Sequence, residues 1–227
     1  MTAAETPATS PGAPAALRLV RHRLPDRIFH WLNAAVVLTL LGTSFLPIAG
    51  FKFPWVTAHW IAGVLLSALI LCHAIRALFW QDPRAMWIGR RDLRRATQML
   101  RWNLRLTAEP PIRPGKYLTL QKLFHHGLAV IILATIVTGL LMLAKIDTPF
   151  WQRNPYFLES GTWGVVYVVH GLAAMAVLAM LIIHVYFALR PEKLWITRSM
   201  IAGWITHNEY RDHHDPDAWR PESGAGP

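Results

Sequence analysis

His170 and His184 lie fourteen residues apart in one apolar stretch, Val165 to Leu189. At a helical rise of ~1.5 Å per residue the two imidazoles stand ~21 Å apart along the axis, and fourteen steps of ~100° complete almost four turns, so both leave the same face. Ionisable side chains at that depth in a lipid-compatible helix are costly, and they mark functional sites. Two imidazoles on one face at two levels are what a helix needs to hold two haems, one above the other, across a bilayer. His59 and His73 repeat the spacing of fourteen, so their rings share a face as well.

The elements that must position these groups are membrane helices. The chain has 227 residues, of which 53% are hydrophobic and only 16% charged, whereas about a quarter of a soluble domain is charged. Four windows, at about 29–48, 56–79, 123–143 and 163–189, are long enough to cross ~30 Å of hydrocarbon. Several of the eleven tryptophans fall near window ends (Trp31, Trp55, Trp80, Trp163 and Trp195), as an aromatic belt requires. The single cysteine, Cys72, excludes an intrachain disulfide and a thiolate metal site, and reads as a small core residue. The expected fold class is all-α: an integral membrane four-helix bundle. Residues 1–20 are expected to be a disordered tail, because the first seventeen are rich in Ala, Pro, Thr and Ser and lack the apolar core of a signal peptide.

Charge sets the expected topology. Nineteen Lys and Arg fall in the N-terminal segment, the long loop between spans two and three, and the C-terminal tail. Three fall in the other two loops, and Arg76 lies inside span two. Cytoplasmic segments carry the basic excess, so both termini and the long loop are expected in the cytoplasm. The net charge of +10 is then explained by orientation and by contact with anionic lipid, and no nucleic-acid partner is expected. Within the long loop, residues 84–106 alternate Arg with Met86, Trp87, Leu93, Met99, Leu100 and Trp102. That pattern predicts an amphipathic helix on the cytoplasmic face, ended by Pro110, Pro111 and Pro114. Residues 206–227 form a polar cytoplasmic tail.

Topology assigns each span histidine a depth. His59 and His170 lie near the outer face, where no other histidine competes. His184 lies toward the cytoplasm, with His30, His73, His125 and His126 all near its level. An outer haem held by His59 and His170 follows, whereas the inner haem needs His184 and one of four partners, with His30 and His73 nearly tied. His125 and His126 also fit the ordinary role of interfacial residues at a helix end. Gly63, four residues after His59, would let a flat macrocycle approach the backbone. Gly42, Gly139 and Gly171 would do the same, or would permit close helix packing.

Several motifs together resemble the gamma, or cytochrome b, subunit of membrane-bound formate dehydrogenases, part of a wider di-haem cytochrome b family shared with nickel–iron hydrogenases. Arg27-Ile28-Phe29-His30-Trp31-Leu32 resembles the first helix of that family. His59-x-x-x-Gly63 followed by Arg76 resembles the second. Gly115-Lys116-Tyr117, Gln121-Lys122 and Val137-Thr138-Gly139 resemble the third helix and its lead-in. His170 through His184-Val185-Tyr186 resembles the fourth, and Met200-x-x-Gly203 with His213-His214 and Trp219 resembles the tail. The resemblance spans residues 21 to 219, and makes 21–205 a four-helix di-haem cytochrome b domain.

The resemblance implies two b-type haems, with His30 and His184 as axial ligands of the inner one and His59 and His170 of the outer one; His73 becomes an extra histidine beside the inner haem. Axial positions filled by two imidazoles suit electron transfer rather than oxygen binding. It further implies electrons received at the outer face from the iron–sulfur subunit of a periplasmic dehydrogenase with a molybdenum or tungsten catalytic subunit, most naturally formate dehydrogenase. They would be passed inward to quinone across the bacterial cytoplasmic (inner) membrane. Arg76, Gln121 and Lys122 are the implied propionate or quinone contacts. Leu118-Thr119-Leu120 departs from the polar residue and glycine that relatives carry before Gln-Lys, so the quinone contacts here differ in detail. The chain has neither the cysteine set of an iron–sulfur protein nor a dinucleotide fingerprint, so substrate oxidation belongs to another subunit. The other readings are service to a hydrogenase or a sulfur-compound oxidoreductase, a stand-alone di-haem quinone or superoxide oxidoreductase, and a haem-free anchor.

Overall fold

Four apolar segments form helices, each long and apolar enough to cross a membrane: α1 (Leu24–Ile48), α2 (Trp55–Trp80), α4 (Thr119–Met142) and α5 (Ser160–Leu189). They are seen in a computed structural model that describes residues 18–81 and 85–221. Inside lipid a helix satisfies every backbone N–H and C=O internally, so segments of this composition have no competing local structure. Helix α1 starts five residues before the expected window, because Pro25 fits a first turn where no N–H partner is needed. The amphipathic stretch forms a shorter helix, α3 (Arg90–Asn103), whose first turn is closed by the Gly89 N–H donating to Asp92 Oδ2 at 3.1 Å.

The four spans form an all-α membrane bundle. Helix α1 packs chiefly on α2 and α4 on α5, and α2 meets α4. All four meet in one apolar core of Val36, Leu41, Ala62, Leu66, Ile132 and Val177. Leu66 is seven residues from both His59 and His73, and Val177 is seven from both His170 and His184. Seven residues rise ~10.5 Å and return to almost the same face, so this core is a dry layer between the two histidine levels. Side chains such as Leu71, Leu133, Leu172 and Ile182 stay exposed on the outer faces, where lipid chains cover them, and Cys72, expected in the core, is exposed there too.

The first and last described residues lie at one end of the bundle, called here the basic end. The last three residues of the expected disordered tail correct that expectation: Arg18–Val20 form strand β1, paired antiparallel with β2 (Trp204–Thr206) in the register Leu19↔Ile205. The rest of that tail, and residues 222–227, lie outside the described residues. Helix α6 (Leu194–Ala202) stops at Gly203, whose φ of +92° is left-handed and whose missing Cβ would meet the His22 carbonyl oxygen at 3.0 Å. The Gly203 carbonyl accepts from the N–H groups of both Arg21 and His22, at 2.9 and 3.1 Å. Helix α7 (His207–His213) follows, capped by Thr206 and Glu209.

Candidate functional site

The bundle brings the span histidines into facing pairs. The rings of His59 and His170 lie 6.3 Å apart between centroids, with planes at 75°. Those of His30 and His184 lie 6.2 Å apart, at 51°. Imidazole nitrogen–metal bonds of about 2.0 Å on both sides of one iron, plus the ~1.1 Å from each nitrogen to its ring centre, give ~6.2 Å between centroids. Both pairs therefore have the separation of two axial ligands on a single metal. His73 and His125 are also 6.2 Å apart, so spacing alone does not single out two pairs. Their surroundings differ: His73 is stacked on Phe29 at 4.5 Å, and His125 neighbours His126, whose Nε2 bonds the Met86 carbonyl at 3.1 Å. The ring facing His184 is that of His30, with Phe124 stacked on its flank.

The donor chemistry fits haem. Among the described residues no three His, Cys, Asp or Glu side chains converge to hold a bare ion, whereas a macrocycle with four equatorial nitrogens asks for only two. At Gly63 a Cβ would meet nothing within 4 Å, so the space beside α2 is open on that side. At Gly139 a Cβ would meet His170 Cε1 at 3.2 Å, so the glycine admits the His170 ring against α4.

Two residues at this site had no role in the sequence reading, which did not name Thr43 and quoted Thr138 only within the Val137-Thr138-Gly139 motif. Thr43 Oγ1 lies 2.8 Å from His59 Nδ1, and Thr138 Oγ1 lies 2.9 Å from His170 Nδ1. Both threonines are buried. The signal that could have found them is weak: Gly42-Thr43 and Thr138-Gly139 are small-polar pairs in otherwise apolar helices.

Arg76, Gln121 and Lys122 all lie at the basic end, and each is held by protein. Arg76 pairs with Asp26 at 2.6 Å, which also accepts from Gln81 Nε2 at 2.8 Å and so ties the start of α1 to the end of α2. Gln121 Oε1 accepts the Leu118 N–H at 3.0 Å and caps α4. Lys122 Nζ donates to Asp92 at 3.0 Å in the buried seam between α3 and α4, and to the Trp87 carbonyl, just before α3, at 3.1 Å.

A further polar cluster closes the basic end. Arg21 Nη1 donates to His214 Nε2 at 2.7 Å, and His214 Nδ1–H donates to the Gly115 carbonyl at 2.7 Å. The guanidinium also lies over the rings of Trp195 and Trp219. A proton on His214 Nε2 would point at a guanidinium, so the neutral ring is required. Burial, then the guanidinium of Arg21, push His214 down to about 4 even though the Gly115 carbonyl pulls the other way. Burial, then the neighbouring Arg21 and Lys116, push His22 down to about 3. Unfolded, both would titrate near ~6.5, so the open form binds more protons below that value. The clasp contributes fully above the unfolded value and is lost as pH falls toward the folded ones. Acidification from pH 7 to pH 5 is therefore expected to lower the hydrogen-exchange protection of residues 203–219 relative to the intrinsic rate at each pH, and the Arg21→Met and His214→Phe double variant, which keeps the buried His22, to weaken that pH dependence.

The chain is similar over most of its length to respiratory cytochrome subunits. It is 24% identical to the formate dehydrogenase cytochrome b556 subunit of Haemophilus influenzae, an alignment covering 90% of this chain and 84% of that one. It is 25% identical to a probable Ni/Fe-hydrogenase B-type cytochrome subunit of Bradyrhizobium diazoefficiens, covering 84% and 86%. The cytochrome b556(fdo) subunit of formate dehydrogenase in Escherichia coli is 24% identical, covering 86% and 90%. The family model of prokaryotic cytochrome b561 matches residues 21–203, which takes in all four spans and all seven span histidines. With four membrane-spanning helices and paired imidazoles inside them, the chain belongs to the prokaryotic cytochrome b561 family, whose cofactor is b-type haem.

Proposed function

We propose that this chain is the membrane-anchor subunit of a respiratory dehydrogenase. His59 and His170 would ligate one haem at the distal end, and His30 and His184 a second at the basic end. Bound there, the two haems supply one-electron carriers at two depths of the membrane. The observation that carries the reading is the pair of facing imidazole sets joined by α5, which contributes one ring to each. The positive-inside rule sets the basic end in the cytoplasm and the distal end at the outer face of the inner membrane. His59 and His170 would hold the haem that takes electrons from an iron–sulfur partner, and His30 and His184 the haem that serves quinone, whose protons would come from the cytoplasm. Arg76, Gln121 and Lys122 lie at the quinone end, and each would have to trade a protein partner to touch a propionate or a quinone oxygen.

A reduced-minus-oxidised spectrum and haem stoichiometry on the purified protein test this. His30→Ala is expected to lose one of two haems, and His73→Ala to keep both. Equal haem content in His30→Ala and wild type would reject the pairing.

The partner is proposed to be a formate dehydrogenase with molybdenum or tungsten at its catalytic subunit, on the strength of the formate dehydrogenase relatives and the motifs of the tail. The hydrogenase relative, at 25% identity against 24%, supports a hydrogenase as the second reading. Copurification separates them: a molybdopterin-bearing partner supports the first, and a nickel-bearing one the second.

A further inference from the structure

We propose that Thr43 and Thr138 are positioning residues that lock His59 and His170 in the tautomer and ring plane of axial ligands. They would give the distal pair a hydrogen-bonded support that the basic-end pair lacks. The proposal rests on the ligand reading above and extends it to the groups behind the ligands.

The argument is one of proton counting. A threonine hydroxyl has one proton and two lone pairs. Thr43 Oγ1 lies 2.8 Å from the Thr39 carbonyl oxygen and 3.0 Å from that of Leu40. Thr138 Oγ1 lies 2.6 Å from the Ala134 carbonyl oxygen and 3.2 Å from that of Thr135. A carbonyl only accepts, so each hydroxyl proton is committed to its own helix, and the oxygen presents a lone pair to the imidazole. Nδ1 of His59 and of His170 is then the donor, at 2.8 and 2.9 Å. The remaining lone pair of each ring sits on Nε2, the atom left free to meet a metal. The same contacts hold the two rings at 75° to each other.

No hydrogen bond is made by His30 or His184 among the described residues; their flanks are packed by Trp31 and Phe124. The two levels thus differ in kind. Donation of Nδ1–H to an oxygen makes an imidazole a more basic ligand, which favours the more highly charged ferric iron. Removing either threonine acceptor is expected to shift the distal haem toward the ferrous form by about tenfold, which for one electron is about 59 mV upward.

The experiment uses the full-length protein in nanodiscs, with redox titration of the haem bands and low-temperature electron paramagnetic resonance. Thr43→Val and Thr138→Val keep the side-chain shape and remove the hydroxyl acceptor, leaving only the Leu40 and Thr135 carbonyls beside the two rings. Each is expected to raise the potential of one haem, the one lost in His59→Ala, and to change its low-spin signal while leaving the other haem alone. Thr43→Ser and Thr138→Ser should restore both readouts. Thr39→Val and Thr135→Val, which remove hydroxyls bonded only to their own helices at 2.9 Å, should match wild type. If the valine variants match wild type in potential and signal, or lose haem that the serine variants do not recover, the proposal is overturned. A wild-type protein without b-type bands overturns the ligand reading and this proposal with it. Two haems whose potentials ignore both threonines overturn the proposal alone.

Discussion

His59→Ala and His170→Ala are each expected to strip the distal haem, leave the basic-end haem in place and stop electron delivery to quinone. Truncation removes the axial nitrogen and leaves a gap that no neighbour fills, because the distal level has no third histidine. Thr43 and Thr138 stand behind the rings, and their oxygens face Nδ1 rather than the space between the pair. At the basic end His73 and His125 face each other rather than His184, so the loss expected of a His30 variant falls on the other haem. Haem stoichiometry is therefore expected to fall by half in both distal variants, and quinone reduction by the whole complex to fall to background. Oxidation of the primary substrate with a soluble dye should persist. Added imidazole should restore part of the haem in His59→Ala by filling the vacated site. Retention of both haems in either distal variant would sink the assignment of this pair.

The distal pair was legible in the sequence because depth alone matched His59 to His170. The basic-end pair was not, because four histidines share a level there and helical spacing cannot say which ring faces which. In the folded chain His184 faces His30 and His73 faces His125. Packing between helices makes that choice, and it has no periodic signature. The spans were legible from apolar length, and the amphipathic helix from its alternation of Arg with Leu, Met and Trp. Its start at Arg90 follows from the turn at Gly89, and its end at Asn103 precedes Arg105, whose φ of +56° leaves the helical region.

Long-range polar partners were the hidden part. Strand β1 is three residues long and pairs with a segment far away in the chain, so no alternation could reveal it. Asp26 and Arg76 are separated by the whole of two helices before they meet. Thr43 and Thr138 looked like ordinary threonines in membrane helices, where back-bonding to the preceding turn is usual. Lys122 read as a candidate contact for quinone, and its salt bridge to Asp92 depends on α3 folding back over the start of α4.

That salt bridge carries the largest expected effect on stability. Lys122→Ala is expected to destabilise the docking of α3 by about 3 kcal/mol, the lower end of what removing one partner from a buried ion pair costs. The lower end applies because the two side chains keep 10% and 9% of their surface exposed. The loss comes from Asp92, left inside the seam with its ammonium partner gone. Burial pushes the Asp92 carboxyl up, but the Gly89 N–H, then the hydrogen bond and charge of Lys122, and finally Arg95 outweigh it and hold the group below the usual carboxylate range. A carboxyl lowered on folding contributes stability above its unfolded value of about 3.9 and loses it as pH falls through the lower folded value. Wild type should therefore show an acid-dependent loosening of α3, and Lys122→Ala a weaker pH dependence around a less stable state. Hydrogen exchange across residues 90–103 and the thermal midpoint in detergent measure both effects. Asp92→Leu combined with Lys122→Met should recover most of the loss, since a well-packed apolar pair avoids the desolvation of two charges. If the double variant is as unstable as Lys122→Ala alone, the cost lies in packing rather than in an uncompensated charge. If Lys122→Ala leaves exchange in α3 unchanged, the salt bridge does not hold that helix at all.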